Sequence, residues 1–113
     1  MLTLLHNPRC SKSRQALALL EEAGADVQVR RYLENPLDED ELRELIARLP
    51  NGISGLVRTG EDEWKALGVS ADNSEAVVAA IVAHPRILER PIADSGKQAV
   101  IGRPPERVLE LVN

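Results

Sequence analysis

The chain contains no phenylalanine, and Tyr32 and Trp64 are its only aromatic residues. So few rings exclude a stacking platform for single-stranded nucleic acid. The core must instead be built from Leu, Ile, Val and Ala. Cysteine is almost absent too. Cys10 stands alone, which excludes an internal disulfide and a structural zinc site made of several thiolates. Internal repeats, low-complexity tracts and long apolar runs are missing. No secretory leader or membrane span is expected, and a reducing cytoplasm is the expected compartment. An excess of positive charge is also lacking, since 14 Lys and Arg face 18 Asp and Glu for a net charge of −4. That field disfavours nucleic acid and acidic membranes. An anionic small substrate would need a local cluster of cations.

What remains is a composition of 43% hydrophobic and 28% charged residues over 113 positions, which predicts one folded, soluble domain spanning residues 1–113. A chain of this length buries roughly 65% of its unfolded surface. The expected working unit is a monomer.

The apolar run from Met1 to His6 has the length of a strand, and Pro8 breaks it. Ala16, Leu17, Leu20 and Ala23 then fall near one helical face within Ser11 to Ala23, and Gly24 supplies a stop. Val27 to Tyr32 alternates like a second strand. Strand, crossover helix and strand predict a parallel βαβ unit, normally right-handed. Asp38 and Glu41 have capping-box spacing ahead of Leu42, Leu45, Ile46 and Leu49, a strong helical signal. Pro50-Asn51-Gly52 ends that helix, and a short apolar run, Ile53 to Val57, follows. A short helix is expected near Glu61 to Leu67. Another is capped by Asn73 or Ser74, with Val77, Val78, Ile81 and Val82 as its buried stripe. Pro91 to Asp94 and Gln98 to Ile101 flank Ser95-Gly96 and read as an antiparallel hairpin. Pro104-Pro105 opens a final helix with Val108, Leu109 and Val112 inward. The order predicts an α/β fold, a mixed four-stranded sheet flanked by helices with a helical insertion.

Chemistry concentrates in His6-Asn7-Pro8-Arg9-Cys10-Ser11-Lys12-Ser13. A cysteine at a strand-to-helix turn meets outward-pointing backbone N–H groups that favour negative charge, which lowers a thiol pKa. Its surroundings are polar and basic, which argues for a nucleophile over a small buried hydrophobe. Ser13 stands where a Cys-x-x-Cys motif carries its second sulfur, so a resolving thiol must come from another molecule. Arg58, Arg90 and Arg103 each sit at an element boundary. Singly, each reads as a solvated surface arginine. Converging on Cys10, they would bind an oxyanion through planar, forked donors and stabilise the thiolate. His6 could tune the site or be satisfied by backbone at a strand end. His84, before Pro85, reads as a helix-terminal cap. Ser95-Gly96-Lys97 resembles the end of a phosphate loop but lacks the upstream glycine. Pro91, opening a strand, is a candidate for a cis peptide.

Together these residues resemble the ArsC family of arsenate reductases, the glutaredoxin-linked type with a thioredoxin-like fold. His6-Asn7-Pro8-x-Cys10 with Ser13-Arg14 matches the family's active-site opening. Leu56-Val57-Arg58, Arg90-Pro91-Ile92 and Ile101-Gly102-Arg103-Pro104-Pro105-Glu106 match its arginine segments. The resemblance implies that Cys10 attacks arsenate, that Arg58, Arg90 and Arg103 clamp the oxyanion, and that His6 influences the cysteine. It also implies that Pro91 is the cis-proline of thioredoxin-like folds, with residues 36–85 as the helical insertion. Glutathione as co-substrate and glutaredoxin as partner follow, with no bound metal or organic cofactor. Ser11-Lys12 departs from a Gly-Thr pair common after the nucleophile. A related Spx-like branch regulates transcription by binding RNA polymerase through a Cys-x-x-Cys switch, which Ser13 breaks here. A monothiol oxidoreductase of another substrate is the third reading.

Overall fold

The computed structural model describes residues 1–112. Its strands are β1 (Leu2–Leu5), β2 (Val27–Arg30), β3 (Ile92–Asp94) and β4 (Ala99–Ile101), and its α-helices are α1 (Ser11–Glu22), α2 (Glu39–Arg48), α3 (Asp62–Leu67) and α4 (Ser74–Ala83). The sheet order is β2-β1-β3-β4. β1 runs parallel to β2 and antiparallel to β3, and β3 pairs antiparallel with β4. This is the mixed thioredoxin-like sheet expected from the sequence.

Alternation along the strands divides the core in two. Leu2, Leu4, Ala93 and Val100 cluster with Ala16 and Leu20 of α1 and with Val108. Leu5, Ile92 and Ala99 cluster instead with Leu42, Leu45, Val77, Val78 and Ile81 of the helices inserted between β2 and β3. Burying each Leu, Ile or Val contributes about 1.5–3 kcal/mol. The two aromatic residues join this second cluster.

The helix ends follow their chemistry. The Glu41 N–H donates to Asp38 Oδ1 at 2.8 Å and the Asp38 N–H to Glu41 Oε1 at 3.1 Å, a complete capping box. Asn73, not Ser74, caps α4 by accepting from the Ala76 N–H at 3.1 Å. Gly24, at φ +74°, closes α1 while the Ala25 N–H reaches the Leu20 carbonyl at 3.0 Å. His84 is the C-cap of α4.

Several expectations are corrected. β2 stops at Arg30, because residues 31–35 turn and Arg30 reaches across to Glu41, Asn35 and Pro36. Ala80 rather than Val82 completes the buried stripe of α4, and Val82 is 39% exposed. Ala23 at the end of α1 is also exposed. Ile53 to Val57 is mostly turns around Gly55, at φ +78°, with a lone bridge between Val57 and Leu88. The final segment, Pro105–Leu111, is a 3-10 helix, and Val108 is its buried anchor while Leu109 and Val112 are half-buried.

Close packing fixes the loops near Cys10. Gly102 donates its N–H to the Pro91 carbonyl at 2.8 Å. A Cβ on Gly102 would lie 2.9 Å from both Pro91 Cγ and Val108 Cγ1. The Arg90–Pro91 and Arg103–Pro104 peptides are both cis.

Candidate active site

The chain leaves β1 through His6 and Asn7, turns at Pro8 and Arg9, and enters α1 with Cys10 as N-cap. The Cys10 N–H donates to the Asn7 carbonyl at 3.0 Å, and the Arg9 N–H to Asn7 Oδ1 at 3.0 Å. Ser13, fully buried, braces this turn from inside the helix. Its Oγ accepts from the Asn7 N–H at 3.0 Å and lies 2.6 Å from His6 Nδ1.

Cys10 is half-buried, and that burial pushes its thiol pKa up. Donation from the backbone N–H of Ser13, from the Arg90 guanidinium and from the backbone N–H of Lys12 outweighs it, so the net shift is downward. Arg103 adds a direct contact, with Nη2 donating toward Cys10 Sγ at 3.6 Å. His6 moves the other way from a cation. Burial lowers its pKa, helped by the charges of Arg31 and Arg14, so it is neutral at pH 7.

Arg58 and Arg103 come from separate segments and bring their guanidinium groups to one carboxylate oxygen, which also accepts from the backbone of Arg90. Glu89 Oε1 accepts from the Arg90 N–H at 3.0 Å and lies 3.6 Å from Arg58 Nε and 3.5 Å from Arg103 Nε. Arg58 also donates to Glu61 at 2.7 Å, and Arg103 Nε to the Arg90 carbonyl at 2.9 Å. A cavity of about 550 Å³ opens beside this group, sharing His6, Asn7, Arg58 and Arg90 with it and adding Arg9, Arg31, Tyr32 and Arg86. Cys10 and Arg103 are not among the cavity's lining residues.

The fold thus gathers Cys10 with Arg58, Arg90 and Arg103, and sets His6 beneath the loop. His84 does not line the cavity and lies 3.4 Å from Glu63. Sequence reasoning missed Glu89, Tyr32 and the role of the Ser13 hydroxyl. The signal for Glu89 was available: an acidic residue directly precedes a site arginine, and gathered guanidinium groups need a counter-charge.

Arg90 and Arg103 bear on the Cys10 sulfur, and Arg58 joins them through Glu89. The model of the ArsC family matches residues 5–111. The chain belongs to the ArsC family. Over 113 residues it is 48% identical to the uncharacterized protein YfgD of Escherichia coli (strain K12), covering 96% of this chain and 94% of that one. This ArsC-family chain is also 43% identical over 108 residues to an arsenate reductase of Neisseria meningitidis, covering 93% of this chain and 92% of that one. The solved structure of an arsenate reductase from Vibrio cholerae superimposes with a TM-score of 0.89 at 43% identity, covering 98% of this chain and 97% of that one.

Proposed function

We propose that the chain is an arsenate reductase working through Cys10. One observation carries this: a thiol of lowered pKa within 3.6 Å of the Arg103 guanidinium, with Arg58 and Arg90 held alongside. Arsenate is a tetrahedral oxyanion, and three guanidinium groups supply the donors it needs.

In the proposed cycle the Cys10 thiolate attacks arsenic. A sulfur–arsenic bond forms, an arsenic–oxygen bond breaks, and the departing oxygen leaves as water after protonation. Arsenic is still pentavalent. The sulfur of glutathione then attacks Cys10 Sγ. A disulfide forms, the sulfur–arsenic electron pair stays on arsenic, and trivalent arsenite departs. A glutaredoxin thiol attacks the glutathione sulfur and frees Cys10. Arg58, Arg90 and Arg103 hold the charge that develops on the oxyanion, the kind of pre-set electrostatic stabilisation that dominates many catalysed reactions. Neutral His6 holds the loop through Ser13 instead of donating charge. Glutathione enters as co-substrate, and a thiol-reducing cytoplasm supplies it.

The cavity of about 550 Å³ supports a co-substrate larger than arsenate. Arg9, Arg31 and Arg86 on its lining suit the carboxylates of glutathione. No helix among the described residues is long and apolar enough to cross a membrane.

The test is arsenate-dependent NADPH oxidation with glutathione, glutathione reductase and glutaredoxin. Turnover that requires this protein and disappears in Cys10→Ser is expected. Arsenate reduction retained by Cys10→Ser removes Cys10 from the mechanism. Turnover of glutathionylated protein without arsenate reduction replaces the reading with a monothiol oxidoreductase.

A further inference from the structure

Among the described residues, two buried side-chain polar atoms lack any hydrogen-bond partner: the Tyr32 hydroxyl and Arg90 Nε. Both residues line the cavity beside Cys10. Tyr32 is 1% exposed, so its ring is locked in the core that covers the sheet. The hydroxyl has almost no exposed surface of its own and no partner among the described protein groups. The Asn7 side chain bears on it without reaching hydrogen-bond geometry.

A buried donor left unpaired is costly, and a buried tyrosine hydroxyl ordinarily finds a partner. A phenylalanine here would carry no such cost. Two orphans on the wall of one cavity therefore point to an acceptor that arrives with the ligand. Their surroundings say what kind. The charges of Arg90, Cys10 and Arg58 all act on the phenol, and Arg58 and Arg90 line the same cavity as Tyr32. Burial holds the phenol above its ordinary pKa, so it remains protonated and able to donate at neutral pH.

We infer that the Tyr32 hydroxyl and the Arg90 Nε–H form an inner donor pair that takes one oxygen of the bound tetrahedral oxyanion. The inference rests on the oxyanion chemistry proposed above and adds a residue to it. Tyr32 is a neutral donor behind the ring of guanidinium groups. It recognises an oxygen by position, whereas the arginines recognise net charge.

Tyr32→Phe tests this, since it removes one oxygen and keeps the ring. Three readouts are compared with the unaltered protein: thermal unfolding without anions, the rise in unfolding temperature on adding arsenate, and KM and kcat for arsenate in the coupled assay. Without anions the variant should be as stable as the unaltered protein or more so, because an unsatisfied hydroxyl is gone. The arsenate-induced rise should shrink and KM should increase about tenfold or more, the worth of a hydrogen bond to a charged group. An unchanged KM and an unchanged arsenate-induced rise overturn the inference. So does a variant that is less stable or unfolded without anions, since the hydroxyl then has a partner in the free protein. If the unaltered protein shows neither turnover nor an arsenate-induced rise, the reductase reading itself falls and this inference falls with it.

Discussion

At the scale of single residues, Glu89 organises the charge of the site. Its carboxylate is a built-in anion that a substrate oxyanion must compete with. Its loss frees none of the guanidinium groups, because Arg58 keeps Glu61 at 2.7 Å and Arg103 keeps the Arg90 carbonyl at 2.9 Å. Glu89→Gln retains an oxygen for the Arg90 N–H and removes only the charge. Repulsion between a carboxylate and an incoming anion across several ångströms is worth a few kcal/mol at an effective dielectric of about 20. That outweighs the lost ordering. The arsenate KM of Glu89→Gln should therefore fall by about tenfold. A KM that stays the same or rises shows that Glu89 aligns the arginines more than it competes. Cys10 was legible at this scale because its helix-start position and basic neighbours both bear on thiol chemistry. Tyr32 was not, because its significance lies in a cavity built from segments far apart in the chain, and Glu89 left only the local hint of an acid next to Arg90.

At the scale of elements, local rules carried far. The Asp38–Glu41 capping box, the Gly24 stop and the antiparallel hairpin each depend on residues within a few positions of one another. The rules fell short where tertiary contacts decide. Val82 and Ala80 are both apolar on α4, and only the packing of that helix against α2 and the Pro85–Ile87 turn determines that Ala80 is inside. The 3-10 segment Pro105–Leu111 packs against both α1 and β4, contacts that its own sequence does not spell out. Gly102 is the clearest case of an element dictated by its neighbour. A methyl group there would meet Pro91 and Val108 at 2.9 Å, with a buried ring and a buried valine unable to retreat freely. Gly102→Ala should lose about 1–3 kcal/mol in urea unfolding, the usual cost of overpacking. It should also raise the arsenate KM, because Arg90 and Arg103 adjoin the two displaced segments. A variant of unchanged stability would mean that the Pro91 and Val108 contacts are soft.

At the scale of the whole molecule, an acidic chain of net charge −4 concentrates guanidinium groups beside Cys10 and Glu89. Composition argued against an anion site, and only the fold reconciles the two. The helical insertion delivers Arg58, and the two sides of the β3–β4 hairpin deliver Arg90 and Arg103. The thiolate is consequently a property of the folded state. Because the thiol pKa is lower folded than unfolded, the unfolded chain binds more protons between the two values. Stability must then rise with pH through that window, be fully present above the unfolded value of about 8.5, and be lost as pH falls through the folded one. The most direct measurement is the rate of Cys10 alkylation by iodoacetamide against pH, in buffer and in denaturing urea. A midpoint below about 8.5 in buffer that returns to about 8.5 in urea is the predicted result. A midpoint at or above 8.5 in the folded protein would contradict the account.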